Sequence, residues 1–183
     1  MEMPLDRPLP ASMTVREGRD AYLAENGFSV AAYDEAWTKA TLFGLPIAVP
    51  NTPHHKWALK LHDLHHVATG YGTDHTGEGE ISAWELRRGL GRLGLYVGSI
   101  VAAGTLLGLV LAPRRVWAAF RAAGSQPSLF TEDDVDSLLK LTVGELRARL
   151  GLPEGGLATL PRRLHPNAPG AARSSPGSAS AAT

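Results

Sequence analysis

The sequence predicts an all-α protein: a single compact bundle of six to eight helices with a central apolar helix. Three observations lead to this prediction. Capping residues stand ahead of several helix-forming stretches, no alternating strand pattern with hairpin turns is visible, and residues 93–112 form one long apolar stretch. The 183 residues are enough for one domain with a substantial core.

Each predicted helix has a recognisable start. Thr14 and Glu17 form a capping box ahead of VREGRDAYLAEN. Ser29 is expected to cap a second helix through AAYDEAWTKATLF, after which the prolines of GLPIAVPNTP interrupt regular structure. Thr52 and Pro53 begin a third helix, HHKWALKLHDLHHVAT, and ISAWELRRGL is predicted as a fourth.

The helical metal-binding domain is expected to cover residues 14–155. The proline-rich residues 1–13 and the tail 156–183, which ends in Pro, Gly, Ser and Ala, are expected to be disordered because they cannot pack a core. Two short helices at the end of the domain are predicted from capping boxes at Thr131/Asp134 and Thr142/Glu145.

Composition excludes some partners. Lys plus Arg and Asp plus Glu each number 18, so the formal net charge is zero and no nucleic-acid partner is expected. Cysteine is absent, so a transition-metal site must use His and carboxylate ligands. The first residues lack the apolar core of a signal peptide. We therefore expect a cytoplasmic protein, with peripheral attachment to the inner membrane as an alternative.

Residues 62–66 read His-Asp-Leu-His-His and carry the candidate chemistry. Each helical residue turns by about 100°, so Asp63 lies about 100° and His66 about 40° from His62. The three side chains project into one arc, and two imidazoles one turn apart can chelate one ion. Asp63 could ligate beside them or hold a ligand imidazole through a hydrogen bond. His65, about 60° to the other side, could flank the site.

Glu78 follows the loop GYGTDHTG, which is short and flexible enough to return it to the histidine face. The predicted metal ligands are His62, Asp63, His66 and Glu78. Such a set leaves positions for water or substrate and suits zinc first, with iron or manganese next. Asp63 or Glu78, where not engaged as a ligand, could act in catalysis by moving a proton. Tyr71 and His75 of the loop are candidates for substrate contact.

The complete pattern is His-Asp-x-x-His, eleven residues, and Glu, ending at Glu78. It resembles the signature of the Coq four family, the coenzyme Q biosynthesis proteins of mitochondria and their bacterial relatives. The apolar helix after the motif resembles that family's lipid-contacting helix, and LTVGELRARLGL resembles its closing amphipathic helix. The resemblance spans residues 15–152, although the glycine-rich loop is more polar than the family's usual linker.

The resemblance implies an all-helical fold, a divalent metal usually taken as zinc, and a polyprenylated benzoic or quinone-like ring as substrate. It implies a metal-dependent lyase-type reaction of ubiquinone biosynthesis, an oxidative decarboxylation in which a hydroxyl replaces the carboxyl at ring carbon one. It also implies a role in organising other quinone-biosynthesis enzymes. By position, His62, Asp63, His66 and Glu78 would be the metal ligands or their immediate partners.

Residues 93–112 contain no charge and are long enough to span a membrane. The stretch could cross the membrane, insert peripherally at its surface, or be a buried helix that lines a tunnel for an apolar tail; the buried interpretation is favoured. Small-xxx-small spacing occurs at Gly94/Gly98 and at Gly104/Gly108. Because this spacing lets helices approach closely, we also expect a homodimer.

Other function classes are open. The chain could be a non-catalytic lipid-binding scaffold that keeps a metal for stability, or a recruited relative acting on the ring of a specialised metabolite. The pattern His-Asp-x-x-His also resembles the His-Glu-x-x-His arrangement of metal-dependent hydrolases. This last interpretation is the least favoured, because the shorter Asp63 reaches a bound water less well.

Overall fold

The computed structural model describes residues 8–42 and 45–158. This part of the chain contains seven α-helices, which confirms the all-α class. The helices are α1 (Val15–Glu25), α2 (Pro53–Thr69), α3 (His75–Arg88), α4 (Gly94–Leu111), α5 (Pro113–Ala122), α6 (Val135–Leu138) and α7 (Val143–Arg149). They are joined by two 3₁₀ helices, Val30–Asp34 and Leu129–Thr131, and by one antiparallel hairpin of β1 (Trp37–Leu42) and β2 (Leu45–Pro50).

Local hydrogen bonds explain where the first predicted helices begin and end. The Thr14 hydroxyl accepts from the Glu17 N–H, and the Glu17 carboxylate accepts from the Thr14 N–H, which is the predicted capping box of α1. Thr52 caps α2 by accepting from the His55 N–H at 3.1 Å. Helix α2 ends at Gly70, whose φ of 81° is a left-handed conformation that suits glycine.

The hairpin corrects the prediction of a second long helix. One 3₁₀ turn follows Ser29, which makes no side-chain capping bond, and the chain then enters β1 and β2. The prolines of GLPIAVPNTP predict interrupted structure, yet Pro46 lies within β2, opposite Thr41. Proline is tolerated on edge strands, and both strands of a two-stranded ribbon are edge strands.

Helix α2 takes the central position in the bundle. It contacts α1, α3, α7 and both 3₁₀ helices. Its fully buried residues include Leu61, Leu64, Val67 and Ala68. Helix α4, which is long and apolar enough to cross a membrane, packs mainly on α3 and α5. Its Tyr96 also contacts the His55 ring and donates to the Pro50 carbonyl oxygen, but only 28% of the helix is buried. The prediction of a central apolar helix at 93–112 is therefore wrong, because an apolar composition does not distinguish a buried helix from one exposed on one side.

Helices α3 and α4 approach each other at glycines. A Cβ added to Gly108 would lie 2.6 Å from the Gly79 Cα, and one added to Gly104 would lie 2.5 Å from the Ser82 Oγ. The small residues Gly104 and Gly108 thus allow α3 and α4 of the same chain to pack closely. Their spacing is therefore no longer evidence for a homodimer, which stays a prediction.

The packed chain extends beyond the predicted domain at both ends. Leu9 is buried, and its carbonyl oxygen accepts from the Arg147 guanidinium at 3.0 Å. At the other end, the Leu157 N–H donates to the Thr69 carbonyl oxygen at 2.8 Å. Residues expected to be disordered that pack on the domain are 8–13 and 156–158. The rest of the predicted disordered ends, 1–7 and 159–183, lies outside the described residues.

Candidate metal centre

Helices α2 and α3 bring together three residues that could hold a metal ion, His62, His66 and Glu78. His62 Nε2 lies 3.1 Å from His66 Nε2. Glu78 places Oε2 3.4 Å from His62 Nε2 and Oε1 3.5 Å from His66 Nε2. Ligand atoms bound to tetrahedral zinc at about 2.0–2.1 Å are separated from one another by about 3.3 Å. The group therefore has the dimensions that one divalent ion requires.

The short connection between α2 and α3 explains how Glu78 reaches the histidines. The Asp74 carboxylate caps α3 by accepting from the Gly77 N–H at 2.8 Å. A Cβ on Gly77 would lie 2.1 Å from the Gly72 carbonyl oxygen, so this turn requires glycine. Glu78 consequently stands in the first turn of α3, where the helix dipole favours a carboxylate. As predicted, the loop returns Glu78 to the histidine face.

The second ring nitrogen of each imidazole has its own acceptor. His62 Nδ1 lies 2.9 Å from Glu85 Oε1, and His66 Nδ1 lies 3.0 Å from the Tyr71 carbonyl oxygen. Both acceptors require an N–H donor, so each Nδ1 carries a proton. This assignment directs both Nε2 atoms toward the space beside Glu78, the arrangement in which histidines usually bind metals.

Glu85 is a residue of the candidate centre that the sequence pattern does not single out. It is fully buried, and its Oε1 also accepts from His65 Nδ1–H at 2.7 Å. His65 Nε2 in turn accepts from the Leu129 N–H at 2.9 Å, so this histidine flanks the site without facing the ligand atoms. Glu85 follows Glu78 by seven residues, or two helical turns. This spacing on one face of α3 is the signal that could have found it.

Asp63 lies apart from the other predicted ligands. Its Oδ2 accepts from the Tyr33 hydroxyl at 2.5 Å, and burial raises the pKa of its carboxyl. Among residues 8–42 and 45–158, the histidine and carboxylate residues that could share one ion are His62, His66 and Glu78. The ligand and catalytic roles of Asp63 stay predictions, and this geometry does not favour them.

Opposite charges are concentrated at the site. Burial alone would lower the pKa of His62, but Glu85 and Glu78 raise it well above its ordinary value. Burial alone would raise the pKa of each glutamate, but His66 and His62 lower that of Glu78, and His62 and His65 lower that of Glu85 to about 2. A proton and a divalent ion therefore compete for His62 Nε2.

The two candidate substrate-contact residues occupy different environments. The ring of Tyr71 is buried in the core, where burial raises the pKa of its phenol, and only its carbonyl oxygen contacts the site. His75 is the first residue of α3, one turn before Glu78, and is partly exposed. A substrate contact through the Tyr71 phenol is not supported, whereas the role of His75 stays a prediction.

The site opens on the side of Glu78. The Glu78 side chain is 40% exposed and that of His62 is 21% exposed, whereas the His66 side chain is fully buried. The ring of His66 stacks on Tyr22 at a centroid distance of 5.2 Å, which closes the opposite side. Three protein ligands with one open side are typical of catalytic metal sites, whereas structural zinc sites have four.

Comparisons with family models, curated proteins and solved structures give no match to this chain. The resemblance to the Coq four family therefore rests on the motif that ends at Glu78 and on the two helices that accompany it.

Proposed function

We propose that this chain is a divalent-metal enzyme of ubiquinone-type biosynthesis, with its ion held by His62, His66 and Glu78. One observation carries the proposal: the ligand atoms of these residues are separated by only 3.1–3.5 Å. The Nδ1 atoms of both histidines face away from this group and donate to other acceptors, Glu85 Oε1 and the Tyr71 carbonyl oxygen. A set of two imidazoles and one carboxylate fits zinc first, with iron or manganese as the alternatives.

The proposed substrate is an aromatic ring acid, prenylated or otherwise apolar. A bound divalent ion supplies a Lewis acid that polarises an oxygen of the ring substituent. The open side next to Glu78 gives such a ring access to the centre. The proposed reaction, taken from the resemblance, replaces the carboxyl group at ring carbon one by a hydroxyl group. The carboxyl leaves as carbon dioxide, water supplies the hydroxyl oxygen, and dioxygen accepts the two electrons and becomes hydrogen peroxide.

The position and exposed face of helix α4 support the proposals that the substrate is apolar and that the protein binds peripherally to the inner face of a membrane. Gly104 of α4 approaches the backbone of Glu78, so the apolar helix runs beside the proposed centre. Its outer face exposes large apolar side chains, among them Leu95, Leu106 and Val110. Exposed apolar surface of this kind marks contact with a lipid, a protein or an apolar ligand. Other quinone-biosynthesis enzymes are the proposed protein partners.

The enzyme proposal is tested with the full chain loaded with zinc, iron or manganese. A prenylated hydroxybenzoic acid is supplied with dioxygen, and the hydroxylated product is measured by mass spectrometry together with released carbon dioxide. We expect product from at least one metal form and none from Glu78→Ala, with circular dichroism showing that the variant is folded. Glu80→Gln on the same helix is the matched control, since Glu80 pairs with Arg115 instead of the centre. Equal turnover by Glu78→Ala would contradict the proposal.

The exposed face of α4 also favours a second candidate, a non-catalytic lipid-binding scaffold. In that case the metal contributes stability, and Glu78→Ala should leave quinone production in cells unchanged. Lipid that co-purifies with the chain, identified by mass spectrometry, should then be lost when Leu106 and Val110 are changed to polar residues. Retained lipid in that variant would contradict the scaffold.

A further inference from the structure

Glu85 connects the proposed centre to the interior of the bundle. Its Oε1 accepts from two donors, His62 Nδ1–H at 2.9 Å and His65 Nδ1–H at 2.7 Å. The side chains of Glu85 and His65 are both fully buried. Water therefore does not compete for the bond between His65 and Glu85, and a carboxylate is a strong acceptor for imidazole donors.

His65 keeps Glu85 in place from the side opposite His62. The His65 Nε2 accepts from the Leu129 N–H at 2.9 Å, so its Nδ1 must be the protonated nitrogen. The ring also packs edge-on against Trp84 and Phe130. Hydrogen bonds at both nitrogens and packing on two rings leave His65 one orientation, and this fixes where Glu85 Oε1 lies.

We infer that Glu85 is the positioning residue of the metal centre, with His65 as its support. By accepting from His62 Nδ1–H, Glu85 turns the His62 ring so that Nε2 faces His66 and Glu78. The inference rests on the proposed metal-binding function and adds a residue outside the ligand group. Glu85 itself does not contact the open side, because its side chain has no exposed surface.

His62 and His66 differ in the acceptor of their Nδ1–H, and this difference allows the role of Glu85 to be tested. His66 Nδ1 donates to the Tyr71 carbonyl oxygen, a backbone acceptor that does not depend on Glu85. In metal-free chain labelled with ¹⁵N-histidine, the Nδ1–H protons of His62, His65 and His66 should be protected from exchange with water, as should that of His55, which donates to the Pro50 carbonyl oxygen at 3.3 Å. Removal of the Glu85 carboxylate should release the protons of His62 and His65 and leave those of His66 and His55.

Two variants and one control are compared, Glu85→Ala, Glu85→Gln and Glu80→Gln. Glu80 is a buried glutamate on the same helix whose carboxylate accepts from Arg115 at 2.7 and 2.9 Å. We expect Glu85→Ala to lose the protected signals of His62 and His65 and to bind zinc roughly 10–100-fold more weakly, the usual effect of removing the partner of a ligand histidine. Glu80→Gln should keep all of the protected Nδ1–H signals and the wild-type zinc affinity.

Glu85→Gln decides the question if the alanine variant fails to fold, because it preserves shape and removes the charge. We expect it to weaken zinc binding, to change the cobalt absorption spectrum, and to shift the Nδ1–H signals of His62 and His65 but not that of His66. Unchanged signals and unchanged zinc affinity in Glu85→Gln would overturn the inference. Failure of the wild-type chain to bind zinc, iron or manganese would overturn the proposed function, whereas the signals of the metal-free chain test separately whether Glu85 orients the His62 ring.

Discussion

The Tyr33 hydroxyl donates a hydrogen bond of 2.5 Å to Asp63 Oδ2, and both residues are buried. Tyr33 belongs to the 3₁₀ helix that precedes β1, so this bond ties that segment to α2. The aspartate of the His-Asp-x-x-His pattern thus has a partner thirty residues away in the chain. Through this bond, Asp63 anchors α2, the helix that carries His62 and His66, to the segment that contains Tyr33.

Replacement of Tyr33 by Phe should lower stability more than zinc affinity. The variant leaves a buried carboxylate without its hydroxyl donor, which costs about 1.5–3 kcal/mol of unfolding free energy. Urea unfolding of the metal-free chain measures that loss, and a zinc competition titration measures affinity. A large loss of zinc affinity with little loss of stability would instead show that Asp63 belongs to the centre.

Zinc affinity should increase as the pH rises through neutrality. The pKa of His62 is raised well above 6.5, so at pH 7 a zinc ion must displace a proton from this imidazole. Displacement of one proton strengthens binding by about tenfold per pH unit until the pH passes the raised pKa. Titrations between pH 6 and 9 in buffers that do not bind zinc measure the slope. An affinity independent of pH would contradict the protonated state of His62.

The stability of the metal-free chain should change with pH in the opposite direction. Because the pKa of His62 is raised on folding, His62 contributes its full stabilisation below the pKa that it has in the unfolded chain, about 6.5. This contribution is lost as the pH rises through the higher pKa that it has in the folded chain. Thermal unfolding of metal-free chain should therefore show a decline in alkaline solution. His62→Gln, which cannot titrate, should show less of it.

The contact of α3 with α4 should not tolerate a methyl group. A Cβ at Gly108 would lie 2.6 Å from the Gly79 Cα, and backbone cannot yield as a flexible side chain does. Gly108→Ala should reduce the unfolding free energy by about 1–3 kcal/mol. Gly98→Ala is the matched control on the same helix, because its nearest neighbour is the end of the Leu90 side chain at 3.3 Å. Equal effects of the two changes would contradict the close crossing.

Arg147 should contribute strongly to stability because it binds three separated segments. Its guanidinium donates to the carbonyl oxygens of Ala68, Leu9 and Glu154 at 2.9, 3.0 and 2.5 Å. Arg147→Met leaves these carbonyls without their charged donor, and we expect a loss of at least about 3 kcal/mol, since hydrogen bonds to charged groups contribute about 1.5–3 kcal/mol each. Arg149→Met, at a partly exposed ion pair with Glu132, is the control and should have little effect.

The helices that could be predicted from the sequence are those with local boundary signals. The capping box of Thr142 and Glu145 forms as expected at α7. The cap expected at Thr131 is found three residues later, where Asp134 caps α6 by accepting from the Ser137 N–H. Hydrogen bonds between residues three apart depend little on the rest of the fold, and for this reason they are visible in the sequence.

The hairpin and the place of α4 could not be predicted, because both depend on distant contacts. Strands β1 and β2 are stabilised by pairing with each other, and each alone lacks a clear alternating pattern. The position of α4 depends on the glycines of α3 that it meets, and Gly79 carries no sign of this in the sequence.

The grouping of His62, His66 and Glu78 was predictable for the same reason as the helices, since the two histidines are one turn apart and a short loop precedes Glu78. The separate place of Asp63 and the hydrogen bonds that orient the histidines could not be predicted. Glu85 and Tyr33 meet the histidine helix only after α3 and the 3₁₀ helix have packed against it.

The most direct test of the account is the stoichiometry and location of zinc binding in the purified full chain. Calorimetry and elemental analysis should give one zinc ion per chain, lost on changing His66 to Ala and retained in the control Glu80→Gln. Wild-type chain that stays free of metal after zinc, iron and manganese have each been added would contradict the account. So would zinc that binds equally well after His62, His66 and Glu78 have all been replaced by Ala.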